Sequence, residues 1–411
     1  MTGKYFAVLG LQLTLWGLAV LGALLPRGLF DWLGIDYGLF WAATQAFWSN
    51  SPASAYDLQV VTQYVQSLAA YYGQLADALR VGPTPYPPVF VLLFTPFIIP
   101  PPTIGFALWT LANAGLALYV LHGLATRFAQ WPWGIAAIAL TFFPLGYTLF
   151  VGQVTVILLF GLYQAYRAFE KGQDFRGGLF TGILLLKPQY AFLFVLVLVF
   201  KRRWAAVQGI IVVGIALLLS SLAILGPDGL LKYLGSLNYA SGFRSVDPIV
   251  YPQQMISWRG VLVNFLPGVS ETQGLVLTAV LSAITASALI VVWRGPWNPR
   301  DEHFAARVLA TTIITLLVGF HSHVHGAALL LVPGLALASS HRCPPLVRAV
   351  MRVSLFLPTI IFGLTGWVTL VAIIFASLML LALGAIVMDI VTPRQHRQAP
   401  SPLVAHAEAS G

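Results

Sequence analysis

Charged residues are scarce in this chain. Asp, Glu, Lys and Arg make up only 9% of its 411 residues, whereas 58% are hydrophobic. Soluble domains carry about 25% charged residues, so this composition excludes an ordinary soluble fold and indicates a polytopic membrane protein. Cysteine is nearly absent, and the single Cys343 excludes an internal disulfide framework and a cysteine-based metal site.

Acidic residues are also few, 13 against 22 basic ones, which gives a formal net charge of +9. In a soluble protein this excess would suggest a nucleic-acid partner. Here the basic residues form short clusters between apolar runs, as the positive-inside rule describes. The sequence therefore predicts a protein among membrane lipids, with no nucleic-acid partner.

Long apolar runs fill most of the chain. They predict an all-α bundle forming a single transmembrane domain at 1–392, followed by a disordered cytoplasmic tail at 393–411. Segments 87–102 and 177–200 are short or interrupted, the second by Lys187 and Pro188, because proline cannot continue a helix. Each either re-enters the side it came from or crosses once. The clear spans are 5–25, 103–125, 134–150, 153–169, 204–226, 276–293, 304–320, 326–340, 349–362 and 367–390.

Two long loops, 26–85 and 227–275, lie outside the membrane if the basic clusters lie inside. In the first loop, apolar residues recur at three- and four-residue steps from Leu58 to Leu79. This spacing is typical of an amphipathic helix on the outer membrane surface. A shorter helix of the same kind is predicted for 37–48.

Asp36 precedes that shorter helix and is the first residue that could carry chemistry. As a helix N-cap it would contribute ~1 kcal/mol. Alternatively, aromatic neighbours such as Trp41 desolvate the carboxylate and raise its pKa toward the range of a general base. Asp31 fits an interface anchor, and Asp57 is a better cap for the longer helix.

Lys187 lies within an apolar segment, where a lysine costs about 2.5–3.5 kcal/mol on insertion scales. It either snorkels or pairs with a carboxylate, or it binds a phosphate that enters from the lipid. His321, His323 and His325 alternate at the external end of a span. They could bind zinc or manganese, but no nearby Asp, Glu or Cys completes such a site, so hydrogen bonding to a polar substrate is favoured.

Several short motifs occur in a fixed order along the first half of the chain. They are the external stretch that begins Asp36-Tyr37, then Tyr86-Pro87-Pro88, Gly152-Gln153, Lys187-Pro188-Gln189 and the basic run at 201–204. This order resembles glycosyltransferase family 87. The resemblance implies a GT-C-type bundle with external juxtamembrane helices and a hexosyltransferase of the inner (cytoplasmic) membrane, without a cofactor. It also implies a polyprenyl phosphate sugar donor, usually of mannose, and a lipid or glycan acceptor on the periplasmic or extracellular side.

The resemblance also implies roles for individual residues. Asp36 corresponds to the catalytic base of an inverting transfer. The residues expected to contact substrate are Lys187, Gln189, Gln153, Tyr86, Arg259, His323 and His325, and no metal ligand is expected. The alternatives are a polyprenyl-linked sugar flippase or secondary transporter, which would also use broken helices and buried charges, and a catalytically silent scaffold.

Overall fold

The computed structural model describes residues 2–24, 33–68, 84–128, 132–240, 242–244 and 250–392. Asp31, the second half of the predicted longer amphipathic helix at 69–83, and the tail at 393–411 lie outside the described residues. Within the described ranges the elements are all helices and no β-strand forms, which confirms the predicted all-α fold. The α-helices are Thr2–Leu24, Ile35–Ser49, Leu58–Ser67, Pro88–Phe94, Pro102–Ala125, Pro132–Leu140, Phe143–Val151, Thr155–Glu170, Asp174–Gly182, Pro188–Phe200, Trp204–Ser236, Trp258–Phe265, Glu271–Val292, Phe304–Val318, Leu331–Ala338, Pro345–Thr365 and Val368–Val391.

Long apolar helices confirm a multi-pass membrane protein. The helices long and apolar enough to cross a bilayer are Pro102–Ala125, Trp204–Ser236, Glu271–Val292, Pro345–Thr365 and Val368–Val391. The Pro132–Leu140 and Phe143–Val151 helices would add one more span, bent by 60° at its break. The other predicted spans also coincide with helices, some of them short.

The Phe304–Val318 helix lies in the interior of the bundle. It is 15 residues long and is buried along its whole length except at its last residue. At ~1.5 Å per residue it is too short for about 30 Å of hydrocarbon. Other helices pack against it, including the longer Glu271–Val292 and Val368–Val391 helices, so its backbone is protected by protein rather than by lipid.

The interrupted segment at 177–200 forms three helical pieces. The Asp174–Gly182 helix leads into a 3₁₀ turn at Ile183–Leu186, and a new helix begins at Pro188. Lys187 between them has φ −131° and ψ 84°, which is not helical. Proline favours a first helical position because it needs no partner for a missing N–H. The predicted break at Lys187 and Pro188 is confirmed.

The Ile35–Ser49 helix differs from the surface helix predicted at 37–48. Most of its residues are buried, including Tyr37, Phe40 and Trp41. Its aromatic side chains pack against Tyr86 and Phe90 in a separate aromatic core beside the main bundle. The aromatic residues share one face, but Leu39, Ala42 and Ala46 make the other sides of the helix apolar as well, and a helix that is apolar all round favours enclosure over a one-sided contact with lipid.

Asp57 caps the Leu58–Ser67 helix, as predicted. Its carboxylate accepts hydrogen bonds from the backbone N–H groups of Gln59 and Val60 at 3.1 and 3.4 Å. Val61 and Val65 on the predicted apolar stripe are buried. The described part of this helix therefore has the polarity that its sequence period predicts, with its apolar side against protein.

Candidate active site

One cavity of about 380 Å³ collects most of the predicted site residues. Its wall is built from the start of the Ile35–Ser49 helix, the break at Lys187, the histidine segment and parts of both predicted external loops. The predicted residues that line it are Asp36, Tyr86, Gln153, Lys187, Gln189, His323 and His325. The fold thus brings together residues from both halves of the sequence.

Asp36 lies in the first turn of its helix rather than at the N-cap. Gly34 occupies the cap position with a left-handed φ of 69°, and its N–H donates to the carbonyl of Phe150 at 2.9 Å. The interpretation of Asp36 as an N-cap is therefore wrong. The carboxylate lines the cavity instead, where it can meet a substrate.

Burial raises the pKa of the Asp36 carboxyl to about 6, although the charge of Lys187 and a hydrogen bond with Gln153 lower it in part. The group is therefore ionised at pH 7 and still basic enough to accept a proton from a hydroxyl. Proton transfer works best when the pKa of the base lies near the working pH.

Gln153 links Asp36 to Tyr86. Its side-chain oxygen accepts hydrogen bonds from the Tyr86 hydroxyl at 2.6 Å and from the Val154 N–H at 2.9 Å. The Gln153 side chain also lies close enough to the Asp36 carboxylate to lower its pKa. Because its oxygen already serves two donors, the amide nitrogen is the atom that donates to the carboxylate.

Gly152, at the end of the Phe143–Val151 helix, allows Gln153 to lie beside Asp36 and Tyr86. Its φ of 80° is left-handed, and a Cβ there would lie 2.6 Å from the Cβ of Tyr37. Trp109 donates to the Gly152 carbonyl at 2.8 Å. A glycine is therefore required for the Ile35–Ser49 helix to approach so closely.

We expect Gly152→Ala to destabilise the protein by about 1–3 kcal/mol, because the added methyl group overlaps Tyr37. Thermal unfolding in detergent measures this. Gly172→Ala is the matched control, since Gly172 has a similar φ of 71° but open space around its Cβ position. Equal losses in the two variants would show that backbone strain alone, and not the contact with Tyr37, requires the glycine.

Lys187 points its ammonium group into this site. Its Nζ lies 3.3 Å from Nε2 of His325 and 5.5 Å from the centroid of the Tyr86 ring. In the described part of the chain no salt bridge to Lys187 is formed. The interpretation of Lys187 as a lysine paired directly with a carboxylate is therefore wrong, and its charge is available to an anion.

The three histidines share the cavity wall, as their spacing predicts. The ring centroids of His321 and His323 are 4.8 Å apart, and those of His323 and His325 are 5.7 Å apart. His323 pairs with Met255 in an isolated antiparallel bridge, which connects this segment to the second predicted loop.

Burial and the charge of Lys187 lower the pKa of His323 to about 3, so its ring is neutral at pH 7. Among the described residues, no group of three or more His, Cys, Asp or Glu could hold a metal ion.

Arg259 is the predicted substrate contact that the structure does not place on the cavity wall. Its side chain is fully buried, and its guanidinium donates to the backbone carbonyls of Phe243, at 3.0 Å, and of Gly242. The guanidinium carbon lies 4.4 Å from the ring centroid of Phe320, which does line the cavity. Backbone carbonyls thus hold Arg259 behind Phe320, and a direct phosphate contact by Arg259 stays a prediction.

The sequence profile of glycosyltransferase family 87 matches residues 84–319, which is more than half of the chain. The chain belongs to glycosyltransferase family 87. Comparisons with curated proteins and with solved structures give no match. Membership confirms the resemblance and makes the protein a membrane glycosyltransferase, which acts on a sugar donor and an acceptor.

The family 87 profile covers Tyr86, Gln153, Lys187 and Gln189 but ends before the histidines and begins after Asp36. The fold supplies the missing connection, since Asp36 and the histidines line the same cavity as the matched residues. The cavity of this glycosyltransferase is therefore built from the matched region and from segments on either side of it.

Sequence reasoning missed other polar residues of this glycosyltransferase's cavity. They are Tyr147, Ser236, Tyr251, Gln254 and, as an individual site residue, His321. Tyr147 had a usable signal: it precedes Val151 by four residues, so both lie on the helix face that leads to Gly152 and Gln153. Tyr251 and Gln254 had no such signal, because a long loop has no regular residue period from which the direction of a side chain can be inferred.

Proposed function

We propose that this cavity transfers a hexose, with mannose as the first candidate, from a polyprenyl phosphate donor to a hydroxyl of a lipid or glycan acceptor. The observation that carries the proposal is the meeting of Asp36 and Lys187 in one cavity of a family 87 glycosyltransferase. Transfer from a sugar phosphate needs a base for the acceptor and a cation for the leaving group. The cavity offers both.

The chemical step begins at the acceptor hydroxyl. Asp36 accepts its proton while the oxygen attacks the anomeric carbon of the donor on the face opposite the phosphate. The new C–O bond forms as the bond between the anomeric carbon and the phosphate oxygen breaks, so the configuration inverts through an oxocarbenium-like state. The products are the glycosylated acceptor and polyprenyl phosphate, with the proton on Asp36.

The leaving phosphate needs no proton but gains negative charge as its bond to the sugar breaks. Lys187 supplies a fixed positive charge in a buried site, where electrostatic stabilisation is stronger than in water. Its position at a helix break within an apolar segment suits a phosphate that arrives on a lipid carrier. Neutral His323 and the amide of Gln189, which also line the cavity, are suited to hydrogen-bond sugar hydroxyls.

The cavity faces the outer side of the inner membrane in this proposal. The argument is the distribution of basic clusters, which places the first and second predicted loops outside. Segments of both loops contribute to the cavity wall, through Asp36 and Pro85 from the first and Tyr251 and Gln254 from the second. A donor could therefore reach Lys187 from the bilayer while the acceptor approaches from water.

The test is to reconstitute purified protein in liposomes with radiolabelled polyprenyl phosphate mannose and a membrane lipid extract. We expect label to move to a lipid or glycan acceptor. Polyprenyl phosphate glucose in a parallel reaction tests the choice of hexose. Movement of the intact donor across the bilayer, without transfer of label, would contradict the proposal and support a flippase.

A further inference from the structure

We propose that Tyr86 and Gln153 form a positioning unit for Asp36, rather than contacts for the donor. This inference rests on the proposed role of Asp36 as the base. It follows from the two hydrogen bonds that fix the Gln153 side-chain oxygen, from the Tyr86 hydroxyl and the Val154 N–H, and from the interaction of the remaining amide group with the Asp36 carboxylate in the same cavity. The unit fixes the direction of the carboxylate and favours its ionised form.

The orientation of the Gln153 amide is determined by its backbone neighbour. A backbone N–H can only donate, so the atom that the Val154 N–H contacts at 2.9 Å is the amide oxygen. The Tyr86 hydroxyl lies 2.6 Å from that same atom and must therefore donate to it. Both acceptor positions of the oxygen are used, which leaves the amide NH₂ to face Asp36.

Tyr86 is itself held firmly enough to fix the amide. Its ring packs edge-on against Phe40, one turn after Asp36 on the same helix, with ring centroids 5.2 Å apart. The hydroxyl of Tyr56 donates to the Tyr86 carbonyl at 2.9 Å. Tyr86 and Gln153 are both almost fully buried. The Tyr86 hydroxyl and the Gln153 oxygen are already bonded to each other, which leaves them few bonds for a sugar and makes them good supports for a neighbouring side chain.

The hydrogen bond from Gln153 also opposes the effect of burial on Asp36. Burial favours the neutral acid, whereas a donor to the carboxylate favours the ionised base. Removing the donor should therefore raise the pH at which the base is lost. The rate of sugar transfer in the wild type should fall about tenfold per pH unit below about pH 6, where Asp36 becomes protonated.

The experiment measures kcat and KM against pH for Gln153→Met, Tyr86→Phe and the double variant. We expect Gln153→Met to lower kcat at pH 7. We also expect it to shift the acid limb of the pH profile of kcat, where the rate falls as Asp36 is protonated, upward by roughly one to two pH units. A shift of this size corresponds to the loss of one hydrogen bond to a charged group. Tyr86→Phe should move the limb less, because Val154 still holds the amide oxygen. In the Gln153→Met background, Tyr86→Phe should cause no further shift of the acid limb.

Tyr56→Phe is the matched control. It removes a buried tyrosine hydroxyl that bonds Tyr86 but is not part of the chain to Asp36, so the acid limb should stay in place. A higher KM for the donor with unchanged kcat and limb would overturn the inference and return Tyr86 and Gln153 to donor binding. Additive shifts from the two substitutions would also overturn it, since members of one chain cannot act independently.

Infrared titration of the Asp36 carboxyl provides a second readout that needs no substrate. The carboxylic acid band that is absent from Asp36→Asn reports the protonation of this residue alone. We expect its midpoint near pH 6 in the wild type and higher in Gln153→Met. If the wild type transferred no sugar but the midpoint were still higher in Gln153→Met, the proposed function would fail and the positioning unit would stand. If the enzyme were active but the midpoint were the same in Gln153→Met, only the positioning unit would be overturned.

Discussion

Replacing Asp36 by Asn is expected to reduce kcat for sugar transfer by about 10²–10⁴-fold while the protein stays folded and still binds its donor. The substitution keeps the size of the side chain and its contact with Gln153 but removes the group that accepts the proton. The loss should appear in kcat rather than in KM, because the acceptor must lose its proton only in the transition state. Steady-state transfer assays with varied donor and acceptor measure both constants.

Asp57→Asn is the control for this experiment. Asp57 lies on the same predicted external loop but caps the Leu58–Ser67 helix and does not line the cavity. Asparagine caps a helix about as well as aspartate, so activity should remain near that of the wild type. Asp36→Asn at the wild-type rate would show that another group accepts the proton, and the assignment of the base would be lost.

Asp36 and Lys187 could be predicted from the sequence because each violates a local rule. A carboxylate among aromatic residues and a lysine in an apolar segment both cost free energy unless something uses them. The break at Lys187 followed from the proline beside it. In each case the relevant physics is contained in a few neighbouring residues.

The contacts between these residues could not be predicted in the same way. Tyr86 and Gln153 are 67 positions apart, and a sequence read without its fold does not show that they touch. Each motif was visible, but only the position of the Ile35–Ser49 helix against Gly152 brings Gln153 beside Asp36. The resemblance placed Gln153 near the donor, and the side-chain directions suggest a different role.

Arg259 shows a use of arginine that the sequence does not reveal. The resemblance implied a phosphate contact for it, and arginine is seldom fully buried unless its charge has a partner. Here backbone carbonyls of the loop and the face of Phe320 satisfy the guanidinium. Loop carbonyls leave no trace in a sequence, so this use of an arginine is invisible before the fold is known.

Lys187→Met is expected to reduce kcat by about 10²–10³-fold, since it removes the positive charge that stabilises the leaving phosphate. Methionine keeps most of the length and the apolar stem, so packing at the helix break should survive. Lys201→Met, at the other end of the Pro188–Phe200 helix, is the matched control: its Nζ donates to the Gly295 carbonyl, away from the cavity. Its activity should stay near that of the wild type.

Part of the loss in Lys187→Met could arise indirectly, because the charge of Lys187 also lowers the pKa of Asp36. Without that charge the pKa of Asp36 rises, so less of the base is ionised at pH 7 and the rate falls for that reason too. The two effects separate in the full pH profile of kcat. An upward shift of the acid limb of that profile belongs to Asp36, whereas a plateau that stays below that of the wild type belongs to the leaving phosphate. A plateau at the wild-type level would mean that Lys187 acts only through Asp36.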